Sequence, residues 1–129
     1  MKELEYPFDA AYIIKKRKSL KKALLADGTS RIRKKIAVFG GSTTSDIVKT
    51  LELFLLDAGI EPEFYESEYA QYFQDAMFPD ETLLSFKPDI VFIHTTNRNV
   101  TDWPEMTDTT EQIDEKLHTE INRFTAMWK

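Results

Sequence analysis

The 129 residues contain no cysteine. Disulfides, thiol catalysis and thiolate metal sites are thereby excluded, and a reducing interior is the easier home. No apolar run approaches the ~20 residues that span a bilayer. Nor does Met1-Lys2-Glu3-Leu4-Glu5 lead into the apolar stretch of a secretory signal. These absences set the expectation of a soluble, cytoplasmic protein with no membrane partner. Glycine is scarce, with four residues in all. No Gly-Lys-Ser/Thr follows the adjacent pair Gly40-Gly41, so there is no Walker A loop, and the three-glycine dinucleotide pattern is missing too. Internal repeats and low-complexity linkers are lacking. The acidic residues do not cluster as metal ligands do, so no metal site is expected.

What is present is the composition of a globular domain. A content of 42% hydrophobic and 12% aromatic residues lies far from the disordered range, and the length fits one core. Charge is distributed unevenly. Residues 1–35 hold eleven Lys/Arg and four Asp/Glu, a net of +7, while residues 36–129 hold six and eighteen, a net of −12, giving −5 for the whole. A basic arm beside an acidic body suits nucleic acid or an acidic protein. The basic residues lie at helical spacing without the interleaved aromatics of a nucleic-acid platform. The plainer reading is a solvated helix face that pairs with its own acidic body, with no nucleic-acid partner.

Hydrophobic periodicity divides the chain into a basic N-terminal helical arm, residues 1–33, and an α/β domain, residues 34–129. From Asp9 to Ala26, Ala10, Ile13, Ile14, Leu20, Leu24 and Leu25 fall at helical spacing, with Asp9 as a cap and Asp27-Gly28 as a stop. Ile36-Ala37-Val38-Phe39 is a short apolar run of the kind that forms a buried strand. Ser42 to Ser45 offer capping side chains to a helix in which Ile47, Val48, Leu51, Phe54, Leu55 and Ala58 form a wide apolar face; Gly59 stops it. Glu63 to Glu66 reads as a second strand, Tyr69 to Met77 and Glu81 to Phe86 as short helices, and Asp89 to Ile93 as a third strand. A polar loop runs from His94 to Asp108. The last helix starts on a capping box of Thr109 and Gln112 and turns Ile113, Leu117, Ile121, Phe124 and Trp128 to one side. Strand alternating with helix predicts a three-layer, doubly wound parallel α/β sheet of order 2-1-3. Three strands are few for such a domain, and the last helix has no cap, so the chain reads as the front part of a longer protein.

Open parallel sheets collect ligands beyond the carboxyl ends of strands, where strand order reverses. Here those ends are Gly40-Gly41-Ser42-Thr43-Thr44 and His94-Thr95-Thr96-Asn97-Arg98-Asn99, both dense in hydroxyl and amide groups. Glycines let backbone approach a ligand closely, and the N–H groups at a helix start favour an anion or a developing oxyanion. Ser42 is therefore a candidate nucleophile, with Gly40, Gly41, Thr43 and Thr44 lining a candidate anion cradle. Asn97 can donate to an oxyanion and Arg98 can bind a carboxylate or phosphate, beside Thr96 and Asn99. His94 follows the third strand directly and can approach Ser42 or make a structural hydrogen bond. His118 lies mid-helix among charged residues, which marks it as surface. A purely structural role, with glycines for a tight turn and hydroxyls for capping, accounts for the same residues.

These segments resemble the N-terminal region of FkbH-like proteins. The resemblance spans Leu20 to Trp128 and is strongest in Ile36 to Asp46, Leu51 to Leu56, Gly59 to Tyr69 and Phe86 to Asn99. It implies an SGNH-hydrolase-like domain that precedes a HAD-type phosphatase domain. The complete protein would take a glyceryl group from a phosphorylated three-carbon metabolite, dephosphorylate it and load it onto an acyl carrier protein for polyketide or related assembly. On this resemblance Ser42 falls at the nucleophile of the first SGNH block and Asn97 near the asparagine of the third. This region is expected to hold no cofactor; Mg belongs with the downstream HAD domain. The sequence departs from the SGNH pattern in three places. Gly41 stands where the first block has Asp, Ala70 is the nearest small residue to the second-block glycine, and the late Asp-x-x-His pair is missing. Alone, the fragment is expected to be inactive. Two alternatives are a non-catalytic module that docks an acidic carrier protein through Lys15, Lys16, Arg17, Lys18, Lys21 and Lys22, and a small SGNH-type esterase. The open sheet edge also admits a homo-oligomer.

Overall fold

The computed structural model describes all residues, Met1–Lys129. Its elements follow the order α1 (Ala10–Ala26), β1 (Ile32–Gly40), α2 (Ser45–Asp57), β2 (Ile60–Glu66), α3 (Tyr72–Met77), α4 (Glu81–Phe86), β3 (Ile90–His94) and α5 (Thr110–Met127). The three strands form one parallel sheet of order β2-β1-β3, as the alternation of strand and helix predicts.

β1 is central because its sequence can be buried on both faces: Ile36, Ala37, Val38, Phe39 and Gly40 are all buried. On one face Ile36 and Val38 meet Val48, with Leu55 and Phe64 against them. On the other, Ala37 and Phe39 meet Tyr72, Leu83 and Met127. Helix α1 adds an outer layer on α2, where Ile13, Leu20 and Leu24 pack with Leu53 and Leu56. Asp9 caps it, its side chain accepting from the Tyr12 N–H.

Two strands start earlier than their side-chain pattern predicts, because pairing overrides that pattern, and one helix turns a different face inward. β1 begins at Ile32, four residues before its apolar run, since Ile32 to Lys35 pair with β2 from Ile60 to Glu63. The charged side chains there hide strand character that backbone hydrogen bonds supply. β2 begins at Ile60 for the same reason, directly after Gly59 turns the chain at φ +84°. In α5 the expected apolar face is not the buried one. Leu117, Ile121 and Trp128 are more than half exposed, whereas Glu120 and Met127 are buried. β3 is an edge strand with Ile90, Val91 and Phe92 between 39% and 50% exposed, so neither face nor edge of this strand is fully covered.

Candidate functional site

The carboxyl ends of β1 and β3 leave the sheet at the same level. Gly40 pairs with His94 across the ladder. The pairing runs one residue further, the Gly41 N–H donating to the His94 carbonyl at 2.8 Å. The end of β2 joins them: the Gly40 N–H donates to Ser67 Oγ at 3.1 Å. Three strand ends thus meet at the Gly40-Gly41 pair.

Glycine is needed at both positions for space. A Cβ on Gly41 would lie 2.2 Å from Asn99 Oδ1, and one on Gly40 would lie 2.4 Å from Thr44 Cγ2 and 2.7 Å from the Ser42 carbonyl oxygen. The close neighbour is thus the protein's own side chain rather than a ligand. Thr44 is buried in that contact and is the residue before α2, but its side chain makes no capping hydrogen bond. The expected hydroxyl caps at the start of α2 are therefore absent; its first backbone hydrogen bond runs from the Val48 N–H to the Thr44 carbonyl at 2.9 Å. Ser42 is half-buried and Thr43 exposed.

On the β3 side, Asn97 to Asn99 form one 3₁₀ turn. Thr96 Oγ1 accepts from the Arg98 N–H, and the Thr96 N–H donates to Asn99 Oδ1 at 2.8 Å. The turn points Asn99 inward: it is 9% exposed, and its Nδ2 donates to the Gly41 carbonyl at 2.9 Å. A side-chain amide carries two N–H donors, so one remains beyond the bond to Gly41. Asn97 and Arg98 are exposed. The structure therefore brings Asn99, not Asn97, against the Ser42 loop. The two positions are two apart within one turn, and only the fold chooses which faces Gly41.

His94 and Ser42 make no hydrogen bond with each other. The His94 ring lies 6.3 Å from that of Phe92, and its Nδ1 is buried without a partner. His118, by contrast, is exposed on α5 with Nδ1 2.7 Å from the Asp114 carbonyl.

Three further residues, Arg123, Glu120 and Tyr72, brace the loop that carries Asn99, and none stood out in the sequence. Arg123 of α5 donates through Nη2 to the Asn99 carbonyl and, at 2.8 Å, to Glu120 Oε2; its Nη1 donates to Tyr72 Oη at 2.9 Å. Glu120, 7% exposed, accepts through Oε1 from Thr101 Oγ1 at 2.8 Å and from the Asp102 N–H at 3.1 Å. Burial pushes the Glu120 carboxyl up, but the hydrogen bonds from Arg123 and Thr101 outweigh it and hold the group below its ordinary range. The guanidinium also stacks over Phe124, 4.6 Å from its centroid. Tyr72 donates to the same Asn99 carbonyl at 3.4 Å. A Glu three residues before an Arg on a helix reads as an exposed ion pair; burial is what turns this pair into a clamp. Ser67 had no signal beyond its place at the end of β2.

No three His, Asp or Glu side chains come together as metal ligands do. Ser42 lines none of the five principal clefts. An apolar groove of about 490 Å³ between α5 and the Val100–Pro104 segment begins at Val100, next to Asn99.

No family model and no curated protein matches the sequence. Among solved structures, the fold is similar to the N-terminal part of the protein BF1531 from Bacteroides fragilis, which contains a phosphatase domain and was crystallised with Mg. The TM-score is 0.66 at 19% identity, over 86% of this chain and 29% of the other. The chain thus spans under a third of that neighbour's length, and the likeness is one of fold alone.

Proposed function

We propose that this chain is the SGNH-like portion of an FkbH-like enzyme that moves a glyceryl or acyl group from a phosphorylated three-carbon metabolite to an acyl carrier protein. The observation that supports this most is the Asn99–Gly41 hydrogen bond. It joins the segment resembling the third SGNH block to the segment resembling the first, immediately beside Ser42. Asn99 takes the role that the sequence reading gave to Asn97, since its second N–H is available to an oxygen that gains charge. Ala70 remains a departure from the second-block glycine. It sits in left-handed backbone at φ 59°, the conformation that a glycine of the second block adopts freely.

In this reading the Ser42 hydroxyl contacts the glyceryl or acyl carbonyl, or the phosphopantetheine arm that receives it. The 129 residues hold no Asp-x-x-His pair, so by themselves they are expected to be inert towards esters. The fold match to a phosphatase-domain protein agrees with a downstream phosphatase in the complete enzyme, which would supply the dephosphorylation and its Mg. The test is Ser42→Ala in the complete protein, with carrier loading followed by intact-mass spectrometry. Loading should fall by roughly a hundredfold or more, since loss of a nucleophile costs up to about 10⁶ in a hydrolase. Unchanged loading refutes the catalytic role of Ser42.

A further inference from the structure

Helix α1 carries six cations, and the structure shows how few of them the protein uses itself. Arg17 pairs with Asp46 at 2.9 Å and Lys21 with Glu52 at 2.7 Å, tying α1 to α2. Lys15, Lys16, Lys18 and Lys22 make no ion pair, and neither does Lys49 on α2. A face that merely solvated itself against an acidic body would spend these lysines on that body. Instead they remain uncompensated in a protein of net charge −5.

All of them but Lys22 also share a concavity. A groove of about 570 Å³ between α1 and α2 is lined by Lys15, Lys16, Lys18 and Lys49, with Ile14 and Leu53 as its apolar residues. Its one carboxylate, Glu52, is already taken by Lys21. The groove adjoins the candidate site through α2. Asp46, held by Arg17, lies in the first turn of this helix, which starts three residues after Ser42, and Lys49 is one turn further on. No aromatic lines the groove for bases to stack on, and the net −12 of residues 36–129 repels a long polyanion. A short, folded acidic surface suits it better.

We propose that the α1–α2 groove docks the acidic face of the protein that presents the acyl or glyceryl group to Ser42. The proposal rests on the transfer reading for what the partner carries, and on the groove alone for how it binds. The test is titration of a holo acyl carrier protein into the full chain at 0.05 M salt, followed by fluorescence anisotropy. The triple variant Lys15→Glu/Lys18→Glu/Lys49→Glu should weaken binding about tenfold or more, and 0.5 M salt should do likewise to wild type, since screening then acts within about 4 Å. All three lysines are exposed and unpaired, so the melting temperature of the variant should stay at the wild-type value; the Lys→Gln triple provides a second variant if it does not. Absence of carrier binding, binding indifferent to charge reversal and salt, or equal affinity for duplex DNA of matched charge overturns the proposal. Loading that needs Ser42 but not the lysines removes docking alone; carrier binding that needs the lysines, with loading indifferent to Ser42, removes the transfer reading alone.

Discussion

Asn99→Ala tests whether the two strand-end loops are held together as the structure shows. The substitution strands two backbone groups. The Gly41 carbonyl loses the Nδ2 donor at 2.9 Å, and the Thr96 N–H loses the Oδ1 acceptor at 2.8 Å. The side chain is 9% exposed, so water replaces these partners only in part. Each unsatisfied group costs about 1–3 kcal/mol, which gives about 2–4 kcal/mol if one of them is partly rehydrated. For a chain of this size that lowers the melting temperature by roughly 5–20 °C. Asn97→Ala, two residues away and exposed, should stay within about 0.5 kcal/mol of wild type. The assay is urea unfolding followed by far-UV circular dichroism. A cycle with Gly41→Ala sharpens it. Alone, Gly41→Ala forces a Cβ to within 2.2 Å of Asn99 Oδ1, but with Asn99 already truncated that collision is gone. The double variant should therefore be less destabilised than the two singles added together. Equal losses at Asn97 and Asn99, or strict additivity with Gly41→Ala, would refute the reasoning.

Glu120 makes stability depend on acid. Its carboxyl is held below the ordinary range, so the stabilisation it gives is present above the unfolded value, about 4.3, and is lost as pH falls through the lower folded value. Glu120→Gln should flatten the acid limb of a stability-against-pH curve measured by urea unfolding, and an unchanged limb would contradict the clamp. Ala70→Gly should stabilise by about 0.5–1 kcal/mol, because relief of about 1–2 kcal/mol in left-handed backbone exceeds the ~0.4–1 kcal/mol of added chain entropy. Thermal denaturation that shows a loss at Ala70→Gly would rule that account out.

The sequence by itself determined the sheet. The run Ile36 to Phe39 is apolar without interruption, and a strand buried on both faces is the arrangement that such a run allows; helices between the strands then point to parallel pairing through crossovers, while the tertiary structure fixes the order 2-1-3. The sequence also marked the two polar strand ends, because hydroxyl and amide groups concentrate at both. The tertiary structure decided what pattern could not carry. Strand starts at Ile32 and Ile60 come from backbone pairing, to which side chains are mute. The choice of Asn99 over Asn97 depends on one 3₁₀ turn and on the space left by the missing Cβ of Gly41. Glu120 and Arg123 look like an ordinary surface pair in sequence, yet α5 turns them inward and leaves Leu117, Ile121 and Trp128 outside. Periodicity tells which residues share a helix face; only packing tells which face is turned to the core.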